Sequence, residues 1–127
     1  MDHFTVDSLK QIKNEVLLKK KACRIIAISK TFQIEKIRPL LEFGHVDFGE
    51  NKVQEAIDKW SNTKNEFKDI KLHMVGRLQT NKVKYAVQIF DYIHSVDSFK
   101  LAKKISEEQN KINRKIKLFI QINIDNE

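Results

Sequence analysis

Five short apolar runs in this sequence each end in polar residues able to do chemistry. Ser29-Lys30-Thr31 follows the first, Glu50-Asn51 the second, Gly76-Arg77 the third, Asp97-Ser98 the fourth and Asp125-Asn126 the fifth. Lys30 carries the most information. An amine set directly after Ile25-Ile26-Ala27-Ile28-Ser29 stands where a strand ends in apolar surroundings. Such a site penalises the ammonium form and leaves the neutral amine nucleophilic toward an aldehyde, which is Schiff-base chemistry. The alternative is a lysine that caps a strand end with its head in water, and local context leaves both readings open.

Other chemistries find less support. Neither G-x-x-x-x-G-K-[ST] nor G-x-G-x-x-G occurs, so phosphate-loop and dinucleotide enzymes lose weight. His3, His45, His73 and His94 show no ligand spacing with Cys or acidic residues, and no metal site is expected. His73 and His94 fall within strand runs, where the default is a hydrogen-bonded core or pore histidine. Cys23, the single cysteine, cannot form an intrachain disulfide and is expected to be a small packed residue. There is no apolar run of membrane-spanning or signal-peptide type, and a reducing, cytoplasmic location is expected.

The elements that would position these residues follow from periodicity. Val6, Leu9, Ile12, Val16 and Leu17 recur at three and four, predicting an amphipathic helix over 6–20 that ends in the basic Lys19-Lys20-Lys21. Residues 25–28 predict a strand buried on both faces. Ile34, Ile37, Leu40 and Leu41 predict a helix stopped by Gly44, with Pro39 predicting a bend. Strand 46–49 then precedes a helix on Val53, Ile57 and Trp60, and strand 72–76 precedes one on Val83, Val87 and Phe90. Strand 92–96 leads through the caps Asp97-Ser98 to a helix on Phe99, Ala102 and Ile105. Residues 116–124 form the most strand-like run of all. Strands alternating with helices of this length imply right-handed βαβ units and a parallel sheet, so the class is α/β. Periodicity leaves an open doubly wound sheet and part of a (β/α)8 barrel equally open, and length alone favours a small flavodoxin-like sheet.

With 127 residues, 41% hydrophobic, three Gly and one Pro, the chain reads as one domain over 1–127 without an internal linker. Its net charge of +7 invites a nucleic-acid or anion-binding reading. Against it, all the basic residues but Arg24, Arg38, Arg77 and Arg114 are Lys, whereas base readout prefers Arg. The lysines also alternate with acids, as at Lys100, Lys103, Lys104, Glu107 and Glu108, in the manner of a solvated helix face.

The motifs I-S-K-T at 28–31, F-G-E-N-K-V-Q-E at 48–55, H-M-V-G-R-L-Q-T-N-K at 73–82, H-S-V-D at 94–97 and I-Q-I-N-I at 120–124 occur in one order along the chain. Together they resemble the pyridoxal phosphate homeostasis protein family (YggS and PLPBP types), over residue 5 to the end. The resemblance implies an alanine-racemase N-terminal-like barrel, of which this sequence holds about the first five strands with their helices plus an N-terminal helix. It also implies pyridoxal 5'-phosphate as cofactor, bound as a Schiff base on Lys30, with Asn51, His73, Ser95 and Asn123 facing the same pocket. No residue is assigned a catalytic role. Family members are understood to buffer and deliver the cofactor without robust catalysis. A racemase-like pyridoxal phosphate enzyme is the first alternative and a basic RNA- or anion-binding module the second.

Family members continue through three more strand-helix units that carry the phosphate-holding groups. The chain is therefore expected to be a C-terminally truncated member, a split-gene product or a fragment. Its open sheet edges are expected to make it unstable alone, or to pair it with the missing half or a second copy.

Overall fold

The computed structural model describes residues 2–19 and 22–125. Five α-helices and five strands alternate along them, with one 3-10 turn between. Helix α1 (Phe4–Lys19) leads to β1 (Ala27–Ile28), α2 (Ile34–Phe43), β2 (Asp47–Glu50) and α3 (Val53–Glu66). Then follow β3 (Lys71–Met74), a 3-10 turn (Thr80–Lys82), α4 (Val83–Ile89), β4 (Tyr92–Val96), α5 (Phe99–Lys111) and β5 (Lys117–Ile120). All four strand pairings are parallel, and the order in the sheet is the order in the chain, β1-β2-β3-β4-β5. A doubly wound sheet reverses its order at a switch point. Sequential order with crossovers of one hand puts every helix on one face and curls the sheet about the other, as in a (β/α) barrel.

Side chains divide by the strand period of two. Phe48, Leu72, Met74 and Ile93 point to the helical layer and pack with Trp60, Val83, Val87, Leu101 and Ile105. The opposite, concave face carries Asp47, His73, Tyr92 and His94. Gly49 belongs to that face too, since a Cβ there would meet the side chains of Ile28, Ile26 and Val75. The helix ends follow local rules. Gly44, at φ 100°, closes α2 through its N–H to the carbonyls of Leu40 and Leu41, and the Ser98 hydroxyl accepts from Leu101 N–H at the start of α5. Pro39 is accommodated inside α2.

Several expectations are corrected. Strand β1 is not buried on both faces: only two residues pair, and Ile28 is 49% exposed, because β1 is a sheet edge with an open concave side. Strand β5 (Lys117–Ile120) is the other edge with only β4 beside it; Ile116 before it is buried, Gln121 N–H still reaches Val96 O at 2.8 Å, and Ile122 to Ile124 lie exposed beyond the strand. Phe99 lies exposed at the first turn of α5, and Leu101 with Ile105 fills the core instead. In α1 only Val6 and Leu9 are buried, since the helix packs mainly on α2, and Ile12 and Leu17 stay exposed. Cys23 is an exposed thiol, not a packed residue. Of the expected basic stretch, Lys20 and Lys21 lie outside the described residues, as does Asn126.

Candidate functional site

Lys30 sits in a tight turn at the end of β1. Ser29 N–H bonds to Gly49 O at 2.9 Å, so the ladder with β2 runs through Ser29, and Phe32 N–H returns to Ser29 O at 3.3 Å. Lys30 and Thr31 are the two central residues of that turn. Thr31 has φ 67°, at the position where a type II turn demands positive φ. Glycine or asparagine usually stands there, and a β-branched residue is strained by on the order of 1–3 kcal/mol. Lys30 itself is exposed and takes no part in the ion pairs of the described residues. Ser29 bonds toward α3 and Ile28 lies against Gly49 on the concave face. Lys30 thus leaves the ladder directly after the buried Ser29, at the C-terminal end of β1, with its side chain exposed.

Beneath the turn lies a buried polar cluster that periodicity did not reveal. Glu50 is fully buried, and its carboxylate accepts from Ser29 Oγ, from Trp60 Nε1 at 3.1 Å and from Lys59 Nζ at 3.0 Å. Lys59 Nζ also donates to Ser29 O at 2.7 Å and reaches Glu55 Oε1 at 3.4 Å, while Glu55 accepts from Thr31 N–H. Each charge has an opposite partner and further hydrogen bonds, the condition for keeping ions in a low-dielectric interior. The motif G-E-N had drawn attention to Asn51; its Glu50 and the i+9 lysine could have been found as charges on the apolar side of β2 and α3.

Two of the expected pocket residues carry buried atoms lacking a hydrogen-bond partner, namely Asn51 Oδ1 and Ser95 Oγ. Buried polar atoms are nearly always satisfied, so both have capacity for a ligand. Asn51 follows β2 and is pressed against Gly76, the residue after β3 and Val75, where a Cβ would fall 2.5 Å from Asn51 Cβ and 2.6 Å from its carbonyl oxygen. Only glycine admits that approach. Ser95 is buried near the end of β4. Asn123 lies exposed beyond β5, outside the ladder, and is not brought into contact with the others.

His73 is placed differently from Asn51 and Ser95. It is buried midway along the concave face with both ring nitrogens engaged, Nε2 with Asp47 Oδ1 at 2.8 Å and Nδ1 with His94 Nε2 at 2.9 Å. Its ring stacks on Tyr92 at 4.3 Å, and His94 stacks on Phe119 at 4.5 Å. Arg24 pairs with the Asp47 carboxylate and donates to Tyr92 Oη at 2.8 Å. Burial pushes both imidazoles below the ordinary histidine value, with the neighbouring His73 adding to the effect on His94. Burial alone would raise Asp47, but the hydrogen bonds from Arg24 and His73 hold its carboxyl below the usual range. Asp47, Tyr92 and Lys117 open β2, β4 and β5, and Arg24 precedes β1, so this network forms the barrel floor. The ends of β1 to β4 form the mouth, where barrel enzymes and binders build their sites. These strand ends carry a primary amine on a held backbone and, at Asn51 and Ser95, an amide oxygen and a hydroxyl with spare hydrogen-bonding capacity, while Ile26, Ile28 and Val75 surround Gly49.

No family model matches the sequence. It is 38% identical over 115 residues to the pyridoxal phosphate homeostasis protein of Buchnera aphidicola subsp. Schizaphis graminum, a match covering 91% of this chain and 49% of that protein. It is 33% identical over 106 residues to the protein of that name from Pasteurella multocida, covering 84% of this chain and 46% of that one. Among solved structures it resembles PipY of Synechococcus elongatus PCC7942 with PLP bound, at a TM-score of 0.76 and 34% identity, over 91% of this chain and 56% of that chain. PipY without PLP gives 0.74 and 36%. The chain thus spans about half the length of the curated relatives it matches.

Proposed function

From this chain's membership of the pyridoxal phosphate homeostasis protein family, we propose that it binds pyridoxal 5'-phosphate at the barrel mouth and holds it covalently through Lys30. The observation that carries the reading is the turn at 29–32: an amine with no ion-pair partner among the described residues, on a backbone fixed from below, at the end of the sheet where Asn51 and Ser95 carry buried polar atoms in want of a partner. The cofactor supplies an aldehyde that condenses with a primary amine, together with an electron-poor ring. Lys30 offers that amine, Asn51 and Ser95 offer an amide oxygen and a hydroxyl, and Gly76 keeps the floor beside Asn51 low enough for a flat ring to approach. His73 supports the site from beneath, orienting His94 rather than offering a nitrogen of its own. Asn123, exposed beyond β5, is the remaining residue that this reading assigns to the cofactor.

In this reading the protein holds and delivers the cofactor rather than turning over a substrate. With Asn51 and Ser95 neutral and both nitrogens of His73 engaged, nothing among these residues faces Lys30 as a second acid or base. A cofactor-loaded sample is expected to racemise neither alanine nor serine. In the same reading the protein works in the cytoplasm, residues 1–127 belong to one domain, and the open sheet edges are covered by further barrel units or a second copy. Among the described residues no helix is long and apolar enough to cross a membrane. Borohydride treatment of the protein with pyridoxal phosphate, followed by peptide mass mapping, tests the anchor. The label is expected on Lys30, and a label spread over the surface lysines with Lys30 unmodified would refute it.

A further inference from the structure

We propose that Lys59, Glu55 and Glu50 are positioning residues that lock the Lys30 turn and so set the reactivity of the Lys30 amine. The inference rests on the cofactor reading for its purpose but on geometry for its substance. Three backbone groups flanking Lys30, and the Ser29 hydroxyl, are held from outside the turn. Ser29 N–H is held by Gly49 O, Ser29 O by Lys59 Nζ at 2.7 Å, Ser29 Oγ by Glu50, and Thr31 N–H by Glu55. The Lys59 ammonium is in turn fixed by both oxygens of Glu50, at 3.2 and 3.0 Å, and by Glu55.

A surface turn has no need of such support. Lys59 is 8% exposed at its side chain and Glu50 not at all, so burying this pair carries a desolvation cost that an apolar pair would avoid. The cluster also holds Thr31 at a positive φ that a β-branched residue resists. A strained residue persists only where its surroundings over-determine it, and such strain gathers at functional sites. The structure here holds the backbone that carries Lys30 in one conformation. Lys30 thereby reaches an aldehyde without first ordering its own backbone, an entropy that a free loop would forfeit on each capture.

The test uses Lys59→Met, which removes the donor to Ser29 O, Lys59→Arg, which keeps a donor, and Glu55→Ala, which frees Thr31 N–H. Glu55 is 28% exposed at its side chain, so its variant remains informative if circular dichroism shows that Lys59→Met fails to fold. Two quantities are read: the Kd and pH midpoint of the visible band formed with pyridoxal phosphate, and the acetylation of Lys30 relative to Lys82 by trace acetic anhydride without cofactor. Lys59→Met and Glu55→Ala are each expected to weaken binding about fivefold, the equivalent of one hydrogen bond. They are also expected to move the pH midpoint and change the Lys30 to Lys82 labelling ratio, with Lys59→Arg recovering most of both. Wild-type Kd, midpoint and labelling ratio in the folded variants would overturn the proposal while leaving the cofactor reading intact. If the wild type gives no band that depends on Lys30, the cofactor reading fails, and the labelling ratio decides the positioning claim alone.

Discussion

At the scale of residues, the histidines make the molecule sensitive to acid. Burial holds His45, His73 and His94 below the ordinary histidine value, so the folded chain binds fewer protons than the unfolded one once pH falls below about 6.5. Their contribution is complete above that pH and declines as the solution is acidified. Asp47 acts in the same sense at lower pH: its carboxyl is held below the usual value, and its stabilisation is lost on falling below about 3.9. Urea midpoints measured from pH 8 to pH 4 are expected to fall steadily below pH 6.5. A midpoint that stays level or rises would show that the floor network of Asp47, His73 and His94 does not form. The histidines' default role was legible, since His73 and His94 lay inside strand runs. The Asp47 partner of His73 was not, because it lies 26 residues before His73 and only sheet register brings the two together.

At the scale of elements, two glycines of similar sequence context have opposite demands. A Cβ on Gly76 would collide with the Asn51 backbone and Cβ, atoms that cannot yield without moving the end of β2. A Cβ on Gly49 would meet the tip of Ile28 at 2.7 Å, a flexible end on the open concave face. Gly76→Ala is therefore expected to destabilise by about 1–3 kcal/mol and to weaken cofactor capture beside Asn51, while Gly49→Ala costs roughly 1 kcal/mol or less. Equal costs in a denaturation series would remove the close approach from the account. Element order was readable from the sequence because each helix pairs an apolar stripe with a neighbouring run, as Val53 and Trp60 do in α3. Burial at β1 and β5 was misread for a physical reason. Apolar β-branched runs signal a strand built to be covered, and composition does not say whether the cover lies within the same stretch of chain.

At the scale of the whole molecule, the exposed apolar edge is the feature most at odds with an isolated monomer. Leu118, Phe119, Ile120, Ile122 and Ile124 are exposed along and beyond β5, with Ile28 and Phe32 exposed at the β1 side. Unprotected edges of this kind template pairing with other chains. Sedimentation velocity is expected to show concentration-dependent association that Ile120→Lys with Ile122→Lys suppresses. A monodisperse monomer melting cooperatively at ordinary temperatures would contradict that expectation. The parallel α/β class could be read from the chain, and the five ordered motifs pointed to the barrel. Periodicity could not choose barrel over open sheet, because that choice lies in strand order, which the structure gives as strictly sequential.

The claim on which the rest depends is that the Lys30 amine, fixed at the mouth of the sheet, captures the aldehyde of pyridoxal phosphate. Titrating wild type and Lys30→Ala with the cofactor under a visible spectrophotometer tests it most directly. A saturable band in the wild type that is absent from the folded variant is the predicted result, and indistinguishable spectra from the two proteins would contradict it.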